Sequence, residues 1–318
     1  MANTLMARVH TLQLEAEGII SVELKPAPGA ADFPAFEPGA HIDLHLPNGL
    51  VRSYSLFNTP GEHNRYQVGI LRNRKSRGGS AFVHTELRVG TTLPISAPRN
   101  HFALELGASH SVLVAGGIGI TPIFCMYRQL LAAGRSVQLV YCARTRSEAA
   151  LLQALAELPG PAHYHFDDEQ GAAPDLAALL AGQPADSHFY CCGPTPMLDA
   201  FERTCEALGY PHAHIERFAA AELPPAADAQ ATYEVELKRS GSVLEVGPGL
   251  NLLDVLLEAG CDIEHSCREG VCGSCETRVI DGEVDHRDAV LTKAERAANA
   301  SMMVCVSGCK SRRLVLDL

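Results

Sequence analysis

Cys267-Arg-Glu-Gly-Val-Cys272-Gly-Ser-Cys275, followed after 29 intervening residues by Cys305, is the stretch that decides how the C-terminal part of this chain folds. The order C-x4-C-x2-C with one distant cysteine suits four thiolates on a two-iron, two-sulfide core. A loop that tight has to wrap an anionic core. Gly270 and Gly273 suit the task, because a residue without Cβ can take φ > 0 and let the backbone come close. Their N–H groups then face the sulfides, as in other anion-binding nests. Zinc knuckles also use C-x2-C, but they usually come in pairs, and here the fourth cysteine stands alone. Cys261 and Cys309 flank the motif and compete with Cys305 for the fourth position.

The 318 residues exceed one such module, and their length suggests two or three domains. Hydrophobic residues make up 47% and charged residues 20%, as in ordinary soluble globular proteins. A net charge of −11 argues against nucleic acid as a partner, since phosphate neutralisation needs clustered Lys and Arg. The 11 cysteines do not form the dense framework of a small secreted domain. Several, such as Cys125 and Cys142, sit singly in apolar runs where a buried thiol is expected. The first 20 residues mix His10, Glu15 and Glu17 into their apolar positions, so neither a signal peptide nor a membrane span is expected there. A reduced, cytoplasmic setting follows as the expectation.

Residues 1–106 read as short alternating strands broken by Pro and Gly, the pattern of a small antiparallel barrel. From Ser111 the pattern changes to continuous apolar strands followed by helices. Ser111–Ala115, Val137–Cys142 and His188–Cys192 are the strands, and this alternation over 107–222 predicts a doubly wound α/β layer. Residues 223–231, rich in Pro and Ala, have linker composition. Over 232–318 the reading is a hairpin (Tyr233–Leu237, Val243–Val246), a helix capped by Asn251, the cysteine loop and two further strands, the β-grasp arrangement.

Two β–α turns carry glycine. In Gly116-Gly-Ile-Gly-Ile-Thr-Pro122, Gly117 and Gly119 allow close approach of a pyrophosphate, with Thr121 expected as helix N-cap and Pro122 as first helical residue. Pro122 occupies the third glycine position of a dinucleotide fingerprint, so the pattern is incomplete. Cys192-Gly193-Pro194-Thr-Pro196 repeats the device, with Thr195 expected as cap. The usual acid on the ribose 2′-OH would fall near Leu139 and is absent, whereas Arg144 and Arg146 could meet a 2′-phosphate or be solvated loop charges. Upstream, Arg52 and Tyr54 share one face of a strand and offer a phosphate fork and an aromatic plane. Gly78-Gly79-Ser80 opens a short helix, with Ser80 expected as its cap and a second phosphate cradle.

In this fixed order, Arg52-Ser-Tyr54-Ser55, Gly78-Gly79-Ser80, the Gly116–Pro122 turn, Cys192-Gly193-Pro194 and the cysteine loop resemble the phthalate dioxygenase reductase family over nearly the whole chain. The resemblance implies an FMN-binding β-barrel (1–106), an NAD-binding α/β domain (107–222) and a plant-type ferredoxin domain (232–318). It implies that Arg52 and Ser80 hold the FMN phosphate, that Tyr54 and Ser55 contact the isoalloxazine, and that Phe218 lies against the ring. Cys192 and Gly193 would meet the nicotinamide. It favours Cys305 as the fourth cluster ligand, beside Cys267, Cys272 and Cys275. The implied reaction runs from NADH through FMN and [2Fe–2S] to an external acceptor, a Rieske-type terminal oxygenase, since none of the 14 His residues shows metal-ligand spacing suited to oxygen activation. A non-catalytic electron carrier or redox sensor built on the ferredoxin module is the alternative, and the two upstream layers speak against it.

Overall fold

The computed structural model describes residues 4–73, 78–218 and 232–318, which form two compact units, Met1–Phe218 and Ala219–Leu318. The Pro- and Ala-rich stretch 223–231 expected as a linker lies outside the described residues.

The first unit begins with β1 (Thr4–Ala16), β2 (Ile19–Pro26), β3 (His41–His45), β4 (Val51–Ser55) and β5 (Tyr66–Leu71). The helix α1 (Gly79–Thr85) and β6 (Thr92–Ser96) follow. The antiparallel sheet runs β4-β3-β6-β1-β2-β5, and a bridge between Leu56 and Val68 joins its two ends into a barrel. Alternation fills the interior: Val9, Val22, Leu24, Ile42, Leu44, Val68, Ile70 and Ile95 are all fully buried. Register shifts near Thr11 and Ala16 bend β1 as the closed sheet requires.

The α/β layer contains β7 (Ser111–Gly116), α2 (Ile120–Ala132), β8 (Val137–Ala143), α3 (Leu152–Ala156), β9 (Ala162–Phe166), α4 (Asp167–Gln170), α5 (Leu176–Leu180), β10 (His188–Cys192), α6 (Thr195–Leu208) and β11 (His212–Glu216). Its five strands are all parallel in the order β11-β10-β7-β8-β9. Every residue of β7 is buried, as a central strand covered on both faces demands. The strand order reverses between β7 and β10, the position where ligands of such sheets bind. Barrel and layer share their packing: Cys125 of α2 lies in the barrel core, and Ile19 and Phe57 lie in the core beneath α2. The edge strands β9 and β11 were not expected from the sequence.

In the second unit, β12 (Tyr233–Leu237), β13 (Val243–Val246), α7 (Leu252–Glu258), β14 (Glu276–Asp281), β15 (Val284–Asp285), α8 (Lys293–Ala298), β16 (Ser301–Met303), β17 (Gly308–Cys309) and β18 (Arg313–Leu316) appear in turn. The mixed sheet runs β13-β12-β18-β14-β16, with β15 and β17 as a separate pair. Leu252, Leu253 and Leu256 of α7 are buried in its core, giving the expected β-grasp. As expected, Asn251 caps α7, its side chain accepting from the Leu253 amide. The second helix, α8, is an addition to the expected elements; Thr292 and Glu295 close a capping box at its start.

At the reversal point a Cβ on Gly119 would stand 2.1 Å from the Cys192 carbonyl oxygen, a backbone atom with little room to yield. Gly119→Ala is expected to destabilise the first unit by roughly 1–3 kcal/mol, the range for forced overpacking. Urea unfolding followed by far-UV circular dichroism measures it, and unchanged stability would show that the two turns separate easily.

Candidate electron-transfer site

Each of the two glycine turns leaves its strand at the same end of the sheet, and glycine lets them touch. A Cβ on Gly116 would stand 2.6 Å from Met197 Sδ and 3.2 Å from Gly193 Cα. Gly116 and Gly119 are therefore taken up by turn-to-turn packing. Gly117, at φ 55°, faces open space, so the backbone there is approachable by a ligand. A short 3₁₀ turn, Gly117–Gly119, leads directly into α2, and this corrects the cap assignment. The N-cap is Gly119, while Thr121 lies inside the first turn and donates its hydroxyl to the Ile118 carbonyl at 3.1 Å. The helical turn starts early because Gly117 lets the chain reverse before Thr121 is reached. Pro122 falls in the first turn as well, where its missing N–H costs nothing. In the second turn the cap is Pro194, not Thr195, and Pro196 is the second helical residue.

The barrel supplies the facing wall. Arg52 and Tyr54 lie on one face of β4, while Ser53 on the other donates to Asp43 at 2.5 Å. A Cβ on Gly79 would stand 2.6 Å from Arg52 Nε, so the guanidinium lies across the start of α1. Arg52 and the first turn of α1 are thereby brought to one place. Ser80 is not the cap: Gly78, at φ 95°, fills that position, and Ser80 Oγ instead accepts from the Asn73 amide at 3.2 Å. Burial pushes the Tyr54 phenol up to about 12, with Arg52 opposing, so Tyr54 stays a neutral donor at ordinary pH.

Ser55, at the end of β4, is buried and donates to Glu216 Oε2 at 3.3 Å. Glu216 closes β11 in register with Cys192, so Ser55, Cys192 and Glu216 gather where barrel and layer meet. Glu216 was missed by the sequence reading, although an acid ending a strand beside Arg217-Phe218 was the available signal. Burial raises its carboxyl to about 8, with the Ser55 hydrogen bond opposing. The Cys192 thiol is fully buried and pushed well above its ordinary range by that burial. Phe218 is 42% exposed, so its ring is not packed into the core and its face is available.

At the far side of β8, Arg146 forms two hydrogen bonds to Glu169, at 2.9 and 3.1 Å, and its guanidinium covers the Phe166 ring at 4.4 Å. The guanidinium that could have met a 2′-phosphate is thus committed to a carboxylate.

In the second unit the cysteine loop takes a left-handed backbone at Arg268, Gly270 and Gly273, with φ of 57°, 68° and 71°. Cys267 lies beside Cys272 and Cys305, and Cys275 lies beside Cys305. Their mutual contact and burial raise the Cys272 thiol. At Cys305, Cys267 lowers the value, while Cys275 and burial take it up to about 12. Thiols gathered side by side in this way fit a site where metal replaces their protons. Donors are in place as well, since the Glu269 amide points at Cys267 Sγ at 3.3 Å. Cys309 instead contacts Ser311, and Cys261 packs partly buried beside the core. Among the described residues no three His, Cys, Asp or Glu side chains gather as ligands of a single ion. A two-iron cluster divides its four thiolates over two metals and needs no such gathering. The Asn251 amide donates to the Cys305 carbonyl at 2.7 Å, tying α7 to the fourth cysteine.

Two outcomes follow from this geometry. Cys272→Ser should abolish the rhombic iron–sulfur signal of the reduced protein in electron paramagnetic resonance, while flavin reduction by NADH survives; a full signal would remove Cys272 from the ligand set. Glu216 binds a proton in the folded chain that the unfolded chain releases near 4.5. Its contribution to stability is therefore present at low pH and lost as pH rises from about 4.5 to about 8, by at most about 1.4 kcal/mol per pH unit. Thermal melts at pH 5.5 and 7.5 should show a smaller loss for Glu216→Gln than for the parent chain.

Residues 235–310 match the family described as 2Fe-2S iron-sulfur cluster binding domain, and residues 95–215 match the N-terminal domain of dimethylamine monooxygenase subunit DmmA-like proteins. Phenoxybenzoate dioxygenase subunit beta of Ectopseudomonas oleovorans is 46% identical over 311 residues, covering 98% of this chain and 96% of that one. Vanillate O-demethylase oxidoreductase of a Pseudomonas species is 43% identical over 317 residues, 98% of each chain. Among solved structures, phthalate dioxygenase reductase, described as a modular structure for electron transfer from pyridine nucleotides to [2Fe–2S], superposes with a TM-score of 0.72 at 36% identity over 99% of this chain and 98% of that one. On this likeness along its whole length, the chain belongs to the phthalate dioxygenase reductase family, as an oxidoreductase of NADH, FMN and [2Fe–2S].

Proposed function

We propose that this chain takes electrons from NADH on its α/β domain (107–222), passes them to FMN on its barrel (1–106) and then to the cluster of its ferredoxin domain (232–318), and delivers them to a separate Rieske-type terminal oxygenase in the cytoplasm. The observation that carries the reading is the meeting of Ser55, Cys192 and Glu216, which joins the flavin wall to the nicotinamide turn inside one compact unit. The flavin supplies the conversion between a two-electron hydride donor and a one-electron cluster. The chain's own part is positioning and electrostatics.

Arg52 and the first-turn amides of α1 neutralise the FMN phosphate, in the manner of a helix N-terminus assisted by a guanidinium fork. Tyr54 and Ser55 border the isoalloxazine, with Glu216 fixing the Ser55 hydroxyl. The turn at Gly117 and the start of α2 take the dinucleotide pyrophosphate, Cys192-Gly193-Pro194 borders the nicotinamide, and Phe218 covers the flavin face. Cys267, Cys272, Cys275 and Cys305 ligate the two irons. NADH oxidation coupled to ferricyanide or cytochrome c by the purified flavoprotein tests the whole; a protein without flavin absorbance and without that activity would refute it.

The preference for NADH rests on Arg146, held by Glu169 beside Asp167 and Asp168. With Arg146 held by Glu169, the remaining carboxylates of Asp167 and Asp168 at the end of β9 repel a 2′-phosphate. Glu169→Ala should raise kcat/KM for NADPH about tenfold, equivalent to about 1.4 kcal/mol, with little change for NADH. No gain with NADPH would separate Arg146 from cofactor choice.

For the acceptor, the segment 232–318 carries 10 Lys and Arg against 15 Asp and Glu, a net charge of −5. Glu264, ahead of the cysteine loop, is exposed, and Arg268 within the loop is already paired with Asp254 at 2.9 Å. This acidic rim favours docking against a basic patch on the oxygenase. Stopped-flow transfer to the isolated oxygenase should slow as salt rises from 50 to 300 mM, by roughly tenfold; a rate indifferent to salt removes the charged docking.

A further inference from the structure

A cavity of about 540 Å³ opens in the second unit beside β15, α8 and the end of β17. Its volume lies in the range of small-molecule sites. Three basic side chains from three separate stretches line it, His286, Arg296 and Lys310, against one acid, Glu283. On a segment of net charge −5 this gathering runs against the composition.

The acids nearby do not use up these donors. Lys310 reaches Glu283 at 3.6 Å, but both side chains are more than half exposed and water weakens the pair. Asp285 is taken by Arg287. Asn299 is committed, donating to the Gly282 carbonyl and accepting from the Val284 amide. By contrast, the His286 side chain is only 8% exposed, and neither of its ring nitrogens has a hydrogen-bond partner among the described residues. Arg296 donates one amino group to the Asp288 carbonyl and holds the same group 3.8 Å from Asp288 Oδ2, while its Nε is buried without a partner. One unpartnered acceptor is close: Asp288 Oδ1, 3.8 Å from His286 Nδ1. It can satisfy one imidazole nitrogen after a small shift. The Arg296 Nε still lacks an acceptor, and the second imidazole nitrogen becomes a donor when an anion in the cavity holds a proton on the ring. Burial lowers the pKa of His286; Asp288 opposes this, and Arg296 and Lys310 add to it, so both cations act on the imidazole from across the cavity.

We propose that this cavity binds a small oxyanion, a phosphate monoester or a polycarboxylate, through Arg296 and Lys310 with His286 as a buried donor. A guanidinium presents a planar fork and an ammonium a point charge, and the two together match the oxygens of such a group. The cavity also backs onto the cysteine loop. The Ala289 amide donates to the Gly270 carbonyl at 2.8 Å, and a Cβ on Gly270 would stand 3.0 Å from Asp288 Cα. The bound anion would therefore sit behind the loop of the cluster, separated from it by the Asp288 segment.

Isothermal titration of the full-length, cofactor-loaded protein with inorganic phosphate in HEPES tests the site. Saturable binding with a Kd of about 1 mM or below is expected. Lys310→Gln should weaken it at least about fivefold and Arg296→Gln should abolish it. Arg239→Gln, an exposed arginine of the same unit paired with Asp317, should bind as the parent does. Because Arg296 also supports the Asp288 carbonyl, Lys310→Gln carries the test by itself if Arg296→Gln loses the visible cluster spectrum. The proposal is overturned by the absence of saturable binding up to about 20 mM, or by equal weakening in Lys310→Gln and Arg239→Gln, which is the behaviour of unspecific charge.

Discussion

The backbone at Gly119 lies so near the Cys192 carbonyl that one added methyl group would stand 2.1 Å from the oxygen. This steric limit governs the first unit. It sets the separation of two β–α turns that leave β7 and β10, and so fixes the width of the crevice at the reversal of strand order. It also explains why the glycines of the first turn are not interchangeable. Two of them serve packing, and the third, Gly117, remains open to solvent with a left-handed backbone. A second close approach extends the constraint to the barrel. A Cβ on Gly69 of β5 would stand 2.6 Å from Thr121 Cγ2, so the first turn of α2 rests directly on the barrel wall. The buried Thr121 hydroxyl, turned back to Ile118, is the price of that contact.

With the turns fixed in this way, the barrel can present its functional strand to them. β4 ends at Ser55 and β11 at Glu216, and a single hydrogen bond joins residues 161 positions apart in sequence. A carboxylate at that point cannot be well solvated, which is why its proton is held so firmly. Electrostatics and topology are linked here: only an edge strand that runs parallel to β10 and ends level with Cys192 brings an acid to this position.

The sequence made the large architecture readable because it rests on strong, repeated signals. The cysteine spacing, the fully apolar run of β7 and the alternation of the barrel strands each survive in the structure. What it did not reveal has physical reasons. β9 (Ala162–Phe166) and β11 (His212–Glu216) lie at the two edges of the sheet, where polar residues are tolerated, so their apolar signal is diluted. The caps shifted by one or two residues at Ser80, Thr121 and Thr195, because glycine or proline before each of them already adopts the conformation that ends the loop. Glu216 was hidden for a different reason. Its partner Ser55 belongs to another sheet, and no local pattern records a contact over that sequence distance.

The cysteines show the same contrast between residue type and environment. Cys125, Cys142 and Cys205 are buried in apolar packing, and burial moves their thiols up to about 12, 12 and 11. Such groups are poor nucleophiles and poor metal ligands, because the thiolate is the reactive form. Cys272, Cys275 and Cys305 are buried just as deeply. What sets them apart is that they meet other thiols, with backbone amides of a left-handed loop directed at sulfur. Burial alone would make this grouping unfavourable for any thiolate. Multivalent metal reverses the balance, since its charge replaces several protons at once and the low dielectric then strengthens the bonds that hold it. The loop that wraps Cys267–Cys275 is therefore shaped for a charge that the polypeptide does not itself carry, and its three left-handed residues are the conformational cost of that shape.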